Sequence, residues 1–436
     1  MRTALSRLDQ FPRSLLYALA AGLILRVLFV TVHDRPLISD EREYDRLAFQ
    51  LASTGSYCID GIPTSYRPIG YPAILGVIYF VAGHHPQAVK YLQACTDITT
   101  ALLIYLLLAA YSMRVRVLAA GLWAGYLPAI LYSNFLLSES LFTFILVLMA
   151  YLLMRGSGNK LGAALIGICG GVLVLMKPSV IVFLALLPLV MAMLHQPLKN
   201  LVPAAIAFLF VVFPWSARNY VTFGTSSLSS NGGINLLIGN NPEATGAYSV
   251  RFDTTILLTS RGEFETDRTA YRLATRYIFE HPGMFAVNGI KKFAHLFESE
   301  GGLLVWTLYQ NPEDTATRYT SKYRSIPILW ICLVNLPYFI VLLFGTISFL
   351  AADKNQLWWL TTSLIAGWLL IHLTFFGGGR FHFPLIPFIL IYAALGLADL
   401  RAMMNRLSYG HRIAASVLVL GFVSIWVAEG VMVYHG

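Results

Sequence analysis

Six charged residues (Asp40, Glu41, Arg42, Glu43, Asp45 and Arg46) crowd into seven positions of "SDEREYDRLA", in a 436-residue chain only 12% charged. Read as a helix, the stretch puts Tyr44, Leu47, Ala48 and Leu51 on one stripe, with Asp40 a turn earlier on the same face. A carboxylate that merely solubilised the helix would point the other way. An inward carboxylate suits general-base work, although Asp40 with Glu43 also has capping-box spacing and Ser39 could cap instead. The two roles are compatible. Glu41, beside it, completes an acidic pair.

Four cations stand in comparable places. Arg67 lies in "YRPIGYPAIL" next to Tyr66, Lys177 in "LMKPSV", Arg218 in "FPWSARNY", and Arg380 in "FGGGRFHFPLIP" with His382 two residues on. Arg grips phosphate with two parallel donors and Lys as a point charge, so cations meeting at one interface suit a phosphate-bearing lipid. Arg67 and Arg380 could instead snorkel to lipid headgroups, the latter from a flexible turn. Glu139 is the single charge of "SNFLLSESLFTF", a tight turn between two apolar runs. "NGGINLLIGNNPEATGAY", with Asn231 and Asn241, reads either as left-handed turns or as amides for sugar hydroxyls. The triple glycine before Arg380 lets backbone approach a ligand closely.

The chain that must position these residues is apolar: 57% of it is hydrophobic and its mean hydropathy is +0.66. Soluble proteins keep roughly a quarter of their residues charged. The composition implies an all-α polytopic membrane protein. Runs of spanning length fall near 14–32, 91–111, 117–133, 136–154, 161–176, 179–194, 200–215, 326–350, 356–376, 383–398 and 412–429, about eleven in all. A start with Arg2, Arg7 and Arg13 precedes a first run too long for a signal-peptide core, so it reads as a retained span. With the N-terminus inside, the inner loops carry Arg114 and Arg116, Arg155 and Lys160, Lys199, Lys354, and Arg401, Arg406 and Arg412, as the positive-inside rule requires. The net charge of +9 is thus a topology signal spread between spans, and no nucleic-acid partner is expected. Cys58, Cys95, Cys169 and Cys332 have neither disulfide nor metal spacing.

This organisation divides the chain into a membrane module (1–215), whose first outer loop (33–91) holds the acidic pair, a long outer loop (216–325) with interfacial helices, and C-terminal spans (326–436). "HPGMFAVNGIKKFAHLFE" reads as one of those amphipathic interfacial helices. Ionisable residues are nearly absent from span centres, Arg26 being the main exception.

The order of "SDEREYDRLAFQL", "YRPIGYPAIL", "SES", "KPS", "PWSARNY", the Asn/Gly loop and "GRFHFPLIP" resembles that of the GT-C membrane glycosyltransferases. It is most similar to the branch of dolichyl-phosphate-mannose protein mannosyltransferases and lipid A aminoarabinose transferases. The resemblance runs from the first span to about Ala394. It implies a GT-C-type bundle with outer juxtamembrane helices, and transfer of a sugar from a polyprenyl-phosphate carrier to a lipid, glycan or protein acceptor. The reaction would be an inverting single displacement. Asp40 would be the base with Glu41 beside it, and Arg67, Lys177 and Arg380 would hold the carrier phosphate, joined by Arg218. Tyr44, Tyr66, Glu139, Asn231, Asn241 and His382 would meet sugar or acceptor. One departure is Glu43, where lipid A transferases tend to carry Arg before the Tyr. The expected setting is a bacterial inner membrane with the site on the periplasmic side, in lipopolysaccharide or glycan modification. The donor is a lipid-linked sugar phosphate. No nucleotide is needed and no cofactor is marked, no metal-ligand cluster is recognisable, and a divalent metal stays open. Other readings are a transporter or flippase of a polyprenyl-linked saccharide, which should line its spans with polar residues, and a polysaccharide polymerase or ligase.

Overall fold

A computed structural model describes residues 11–155, 159–250, 262–309 and 319–435. Arg2 and Arg7 of the expected basic start lie outside these, as do 251–261 and 310–318 of the expected long loop. Apart from a two-residue hairpin the described chain is helical, and it is a multi-pass membrane protein. Among the described residues six helices are long and apolar enough to cross a membrane, including Arg13–Val32, Ile328–Ala351, Gln356–Thr374 and Tyr409–Tyr434. Of the other expected spans, 91–111 coincides with the unbroken 22-residue helix Pro86–Leu107 and the rest with shorter or broken helices.

The breaks follow the prolines. The run expected at 117–133 divides into Met113–Ala124 and Leu127–Tyr132, because Pro128 has no N–H to continue the ladder and starts a new helix instead. The run expected at 179–194 divides likewise into Ile181–Ala185 and Leu187–Met193 around Pro188. In contrast, Leu201–Phe223 continues through Pro214. Arg218, expected beyond a span, is therefore part of that helix.

The interrupted helix at Ala124 is capped from another span. Arg26, wholly buried in Arg13–Val32, donates to the carbonyls of Ala124 (2.6 Å) and Trp123 (3.2 Å), two of the last in Met113–Ala124. Its Nε reaches Asp97 Oδ2 at 2.6 Å, and Trp123 Nε1 donates to the Asp97 carbonyl at 3.1 Å. Orphan carbonyls at a helix end need such donors when water is absent. Arg26, the main exception among span-centre residues in the sequence, thus has a partner the sequence reading did not name: Asp97, inside "QACTDITTAL".

The segment between the first two spans forms two helices, Asp40–Thr54 and Gly70–Ala82, packed on each other through buried Ala48, Leu75 and Tyr79, while Leu47 packs with Tyr57 and Trp215. Gly55, with φ +69°, ends the first in the left-handed conformation. Between them Cys58–Ile59 pairs antiparallel with Ile62–Pro63. Gly70 is required where the second helix meets the span Lys160–Met176, since a Cβ there would stand 2.5 Å from the backbone of Leu175 and Met176. The next span starts at Pro86, earlier than the expected 91.

The helices Gly232–Gly239 and Glu263–Glu280 share a small core of Leu236, Leu237, Ala270 and Ala274. Pro282–Leu296 follows and leaves Met284, Val287 and Ile290 exposed along one face, as a helix lying in the interface would.

Candidate active site

Asp40 is the first residue of its helix, and its carboxylate is not spent on a cap. Oδ1 accepts from Arg67 Nη2 at 2.7 Å and Oδ2 from Arg380 Nη1 at 2.8 Å. Ser39 makes no side-chain cap bond and sits at φ +47°, a left-handed conformation uncommon for serine. Arg67 comes from the irregular link between hairpin and second helix, and Arg380 from a 3-10 turn, Gly379–Leu385, 340 residues from Asp40. Arg67 Nε also donates to Glu43 Oε2 at 2.5 Å. Asp40 and Glu43 lie three residues apart on one helical face, so both reach the same guanidinium. The rings of Tyr44 and Tyr66 stand 5.7 and 5.5 Å from it, within cation–π range.

A second ion pair adjoins. Lys177 Nζ donates to Glu139 Oε1 at 3.0 Å, and Glu139, at the start of Glu139–Arg155, is buried. The Phe381 ring lies 5.7 Å from Lys177 Nζ and 5.1 Å from the Arg380 guanidinium, bringing the two pairs into one site. Arg67, Arg380 and Lys177 thus face Asp40, Glu43 and Glu139, three cations against three carboxylates. Burial pushes the Asp40 pKa up, but Arg380 and then Arg67 outweigh it and hold the group below its usual range.

Arg380 is delivered by close backbone packing. A Cβ at Gly377 would collide with the Lys292 carbonyl, and one at Gly239 with the Phe375 carbonyl. Gly379 N–H donates to Glu298 Oε1 at 3.0 Å. Gly377, the first of the triple glycine, and Gly239 therefore bring protein backbone against protein backbone. The wholly buried Lys292 ties the three segments, donating to Asn240 Oδ1 (2.9 Å) and to the carbonyls of Leu373 (3.2 Å) and Thr374 (3.0 Å).

Several expected site residues stand elsewhere. Glu41 is fully buried and points away from Asp40, as adjacent helical residues do. It accepts from Arg35 Nη2 (2.5 Å), Leu136 N (2.7 Å) and Ile38 N (3.2 Å), fastening the loop to the turn that precedes Glu139. Arg218 donates to the carbonyls of Thr64 and Tyr57 at 2.9 Å each and to Ser65 Oγ at 3.1 Å. It holds the strand leading to Arg67. His382 is buried beneath the site, its Nδ1 on the Leu296 carbonyl (2.9 Å), its Nε2 on Glu300 (3.1 Å) and its ring stacked on Tyr338. A carbonyl only accepts, so Nδ1 carries a proton. Asn241 is spent on a turn, donating to the carbonyls of Leu237 and Ile238. Asn231 precedes the Gly232–Gly239 helix without a side-chain cap bond. Glu43, weighed in the sequence only as a capping-box partner and a departure from the resembled family, joins Asp40 on Arg67, and Glu298, Lys292 and Asn240, left out of the expected site, carry contacts no spacing rule marks. Among the described residues no three His, Cys, Asp or Glu cluster as metal ligands.

An open apolar groove of about 380 Å³ begins at Ile69, two residues from Arg67, and reaches Leu175, two residues from Lys177. Val172, Val211 and Trp215 continue its wall along the spans.

No family model matches the chain, and no curated protein matches it in sequence. Solved structures do. ArnT from Cupriavidus metallidurans bound to undecaprenyl phosphate is 13% identical over 97% of this chain and 72% of its own, with a TM-score of 0.50. Archaeal oligosaccharyltransferase AglB from Archaeoglobus fulgidus, in complex with an inhibitory peptide and a dolichol-phosphate, is 16% identical over 94% of this chain, with a TM-score of 0.48. The chain spans about half of AglB, 54% of its length. The element order and the likeness to ArnT make this chain an all-α polytopic membrane protein with the GT-C-type fold.

Proposed function

We propose that the chain is a membrane glycosyltransferase. It takes a sugar from a polyprenyl-phosphate carrier and transfers it to a hydroxyl of a lipid, glycan or protein acceptor. One observation carries the reading: Arg67 and Arg380 converge on the single carboxylate of Asp40. The apolar groove lined by Ile69, Ile74, Val172, Leu175 and Trp215 suits the prenyl chain of such a donor. The undecaprenyl phosphate held by ArnT is a ligand of this class.

In this mechanism Arg380, Arg67 and Lys177 stabilise the phosphate as it leaves. Asp40 takes the proton of the acceptor hydroxyl while that oxygen attacks the anomeric carbon from the opposite face, inverting it. Tyr44 and Tyr66 flank Arg67 and offer ring faces to the sugar. Glu139 keeps Lys177 pointed at the site. Glu41, Arg218 and His382 act one layer back, by holding the segments that carry Asp40, Arg67 and Arg380. Under the positive-inside pattern the site opens on the extracytoplasmic side, periplasmic in an inner-membrane setting. The flippase reading is weaker, because Arg26 and Asp97 are sealed against each other and line no route.

The test is transfer by purified protein in liposomes, supplied with several radiolabelled polyprenyl-phosphate sugars and acceptors. Release of carrier phosphate matched by labelled acceptor supports the proposal. Absence of release with every donor and acceptor pair refutes it.

A further inference from the structure

The resting site poses a chemical contradiction. Both oxygens of Asp40 are occupied by arginines, which makes it a poor proton acceptor. Its three neighbouring cations are already matched by Asp40, Glu43 and Glu139. An arriving phosphate finds no surplus positive charge.

We propose that Asp40 and the lipid phosphate take turns on Arg67 and Arg380, so that donor arrival frees the base and re-ionisation of the base expels the product. This deepens the glycosyltransferase reading and rests on it. The exchange follows the reaction's own balance. The donor is a phosphodiester with one negative charge, and it draws the two guanidinium groups off Asp40. The acceptor O–H bond then breaks, with its proton passing to Asp40. The acceptor oxygen bonds the anomeric carbon, and the carbon–oxygen bond to phosphate breaks with its electron pair going to phosphate. Asp40 is now a neutral acid with little hold on arginine, while the phosphate has become a monoester with a second ionisable oxygen. When Asp40 loses its proton to water it reclaims both arginines.

Glu43 sets a limit on the motion. Its bond to Arg67 Nε is independent of Asp40, so Arg67 pivots on Glu43. Arg380, with a side chain 30% exposed against 19% for Arg67, is the more accessible of the two.

Competition predicts that removing the competitor tightens the ligand. Equilibrium binding of a radiolabelled polyprenyl phosphate to the purified full chain in nanodiscs is the measurement. Asp40→Asn should bind it about tenfold tighter than wild type, the worth of one charge-assisted bond. Glu43→Gln should shift it in the same direction by less. Asp45→Asn removes the same charge from the same helix, but Asp45 is bonded to Tyr79 and His84, and it should leave affinity unchanged. Equal or weaker binding by folded Asp40→Asn overturns the exchange, as does equal tightening by Asp45→Asn. If Asp40→Asn does not fold, an unchanged or weakened affinity in Glu43→Gln overturns it. Failure of wild type to bind the lipid phosphate at all refutes the glycosyltransferase reading itself.

Discussion

Glu41 separates the two halves of the acidic pair, and its removal has a magnitude that can be worked from the contacts. Glu41→Ala strands the Arg35 guanidinium, whose side chain is 1% exposed, and deprives the N–H groups of Leu136 and Ile38 of their acceptor. Breaking a buried pair by deleting one partner costs about 3–5 kcal/mol. Each orphaned N–H adds about 1 kcal/mol or more. The variant should therefore melt many degrees lower in detergent, with a smaller yield of monodisperse protein. Per folded molecule, transfer should fall far less than in Asp40→Asn, where loss of the proposed base should cost about 10²–10⁴-fold. The double variant Glu41→Leu/Arg35→Met should recover most of the melting temperature. It forfeits the contact of Arg35 with the Phe135 ring 3.8 Å away, worth about 1 kcal/mol. Full thermal stability in Glu41→Ala, with transfer as deeply impaired as in Asp40→Asn, would refute the assignment and return Glu41 to the chemistry.

Three further outcomes follow from the same contacts. Arg26→Leu leaves Asp97 unpaired in the bundle and uncaps Ala124, and should lower the melting temperature more than Arg26→Leu/Asp97→Leu does; the reverse order would sink the capping argument. Gly377→Ala forces a Cβ into the Lys292 carbonyl and should cut transfer by displacing Arg380, while Gly410→Ala, which meets nothing, should leave it intact. Asp40 is held below its ordinary 3.8 by its arginines once they outweigh burial. Its contribution to stability is therefore complete above about pH 5 and is lost as pH falls through the lowered value. The gap in melting temperature between wild type and Asp40→Asn should stay constant from pH 8 to 5 and narrow in stronger acid.

How much of this the sequence made legible depends on the range of each contact. The inward turn of Asp40 follows from helical register, a local property, and the eleven apolar runs follow from composition. Glu41 looked like a partner of Asp40 because adjacency in sequence suggests adjacency in space, which a 100° step per residue denies. Its real partner, Arg35, lies in an irregular segment with no period to read. Asp97 was hidden in an uncharged run with Thr96, Thr99 and Thr100 around it, and only the break at Ala124 gives it a purpose. Arg218 was misplaced because a helix continued through Pro214, against the usual rule. The meeting of Asp40 with Arg380 spans 340 positions, and no spacing rule reaches that far.

That separation also governs biogenesis. As the ribosome feeds the chain into the membrane, Asp40 emerges early with only Arg67 to answer it, and the Gly377–Arg380 turn follows after most of the other spans have been inserted. The halves of the site are made minutes or seconds apart and join only when the later spans settle against the earlier ones. A chain truncated before Gly377 would keep Asp40 and Arg67 yet lack the second arginine, so the ion pair of Asp40 with Arg380 can form only once the later spans are made.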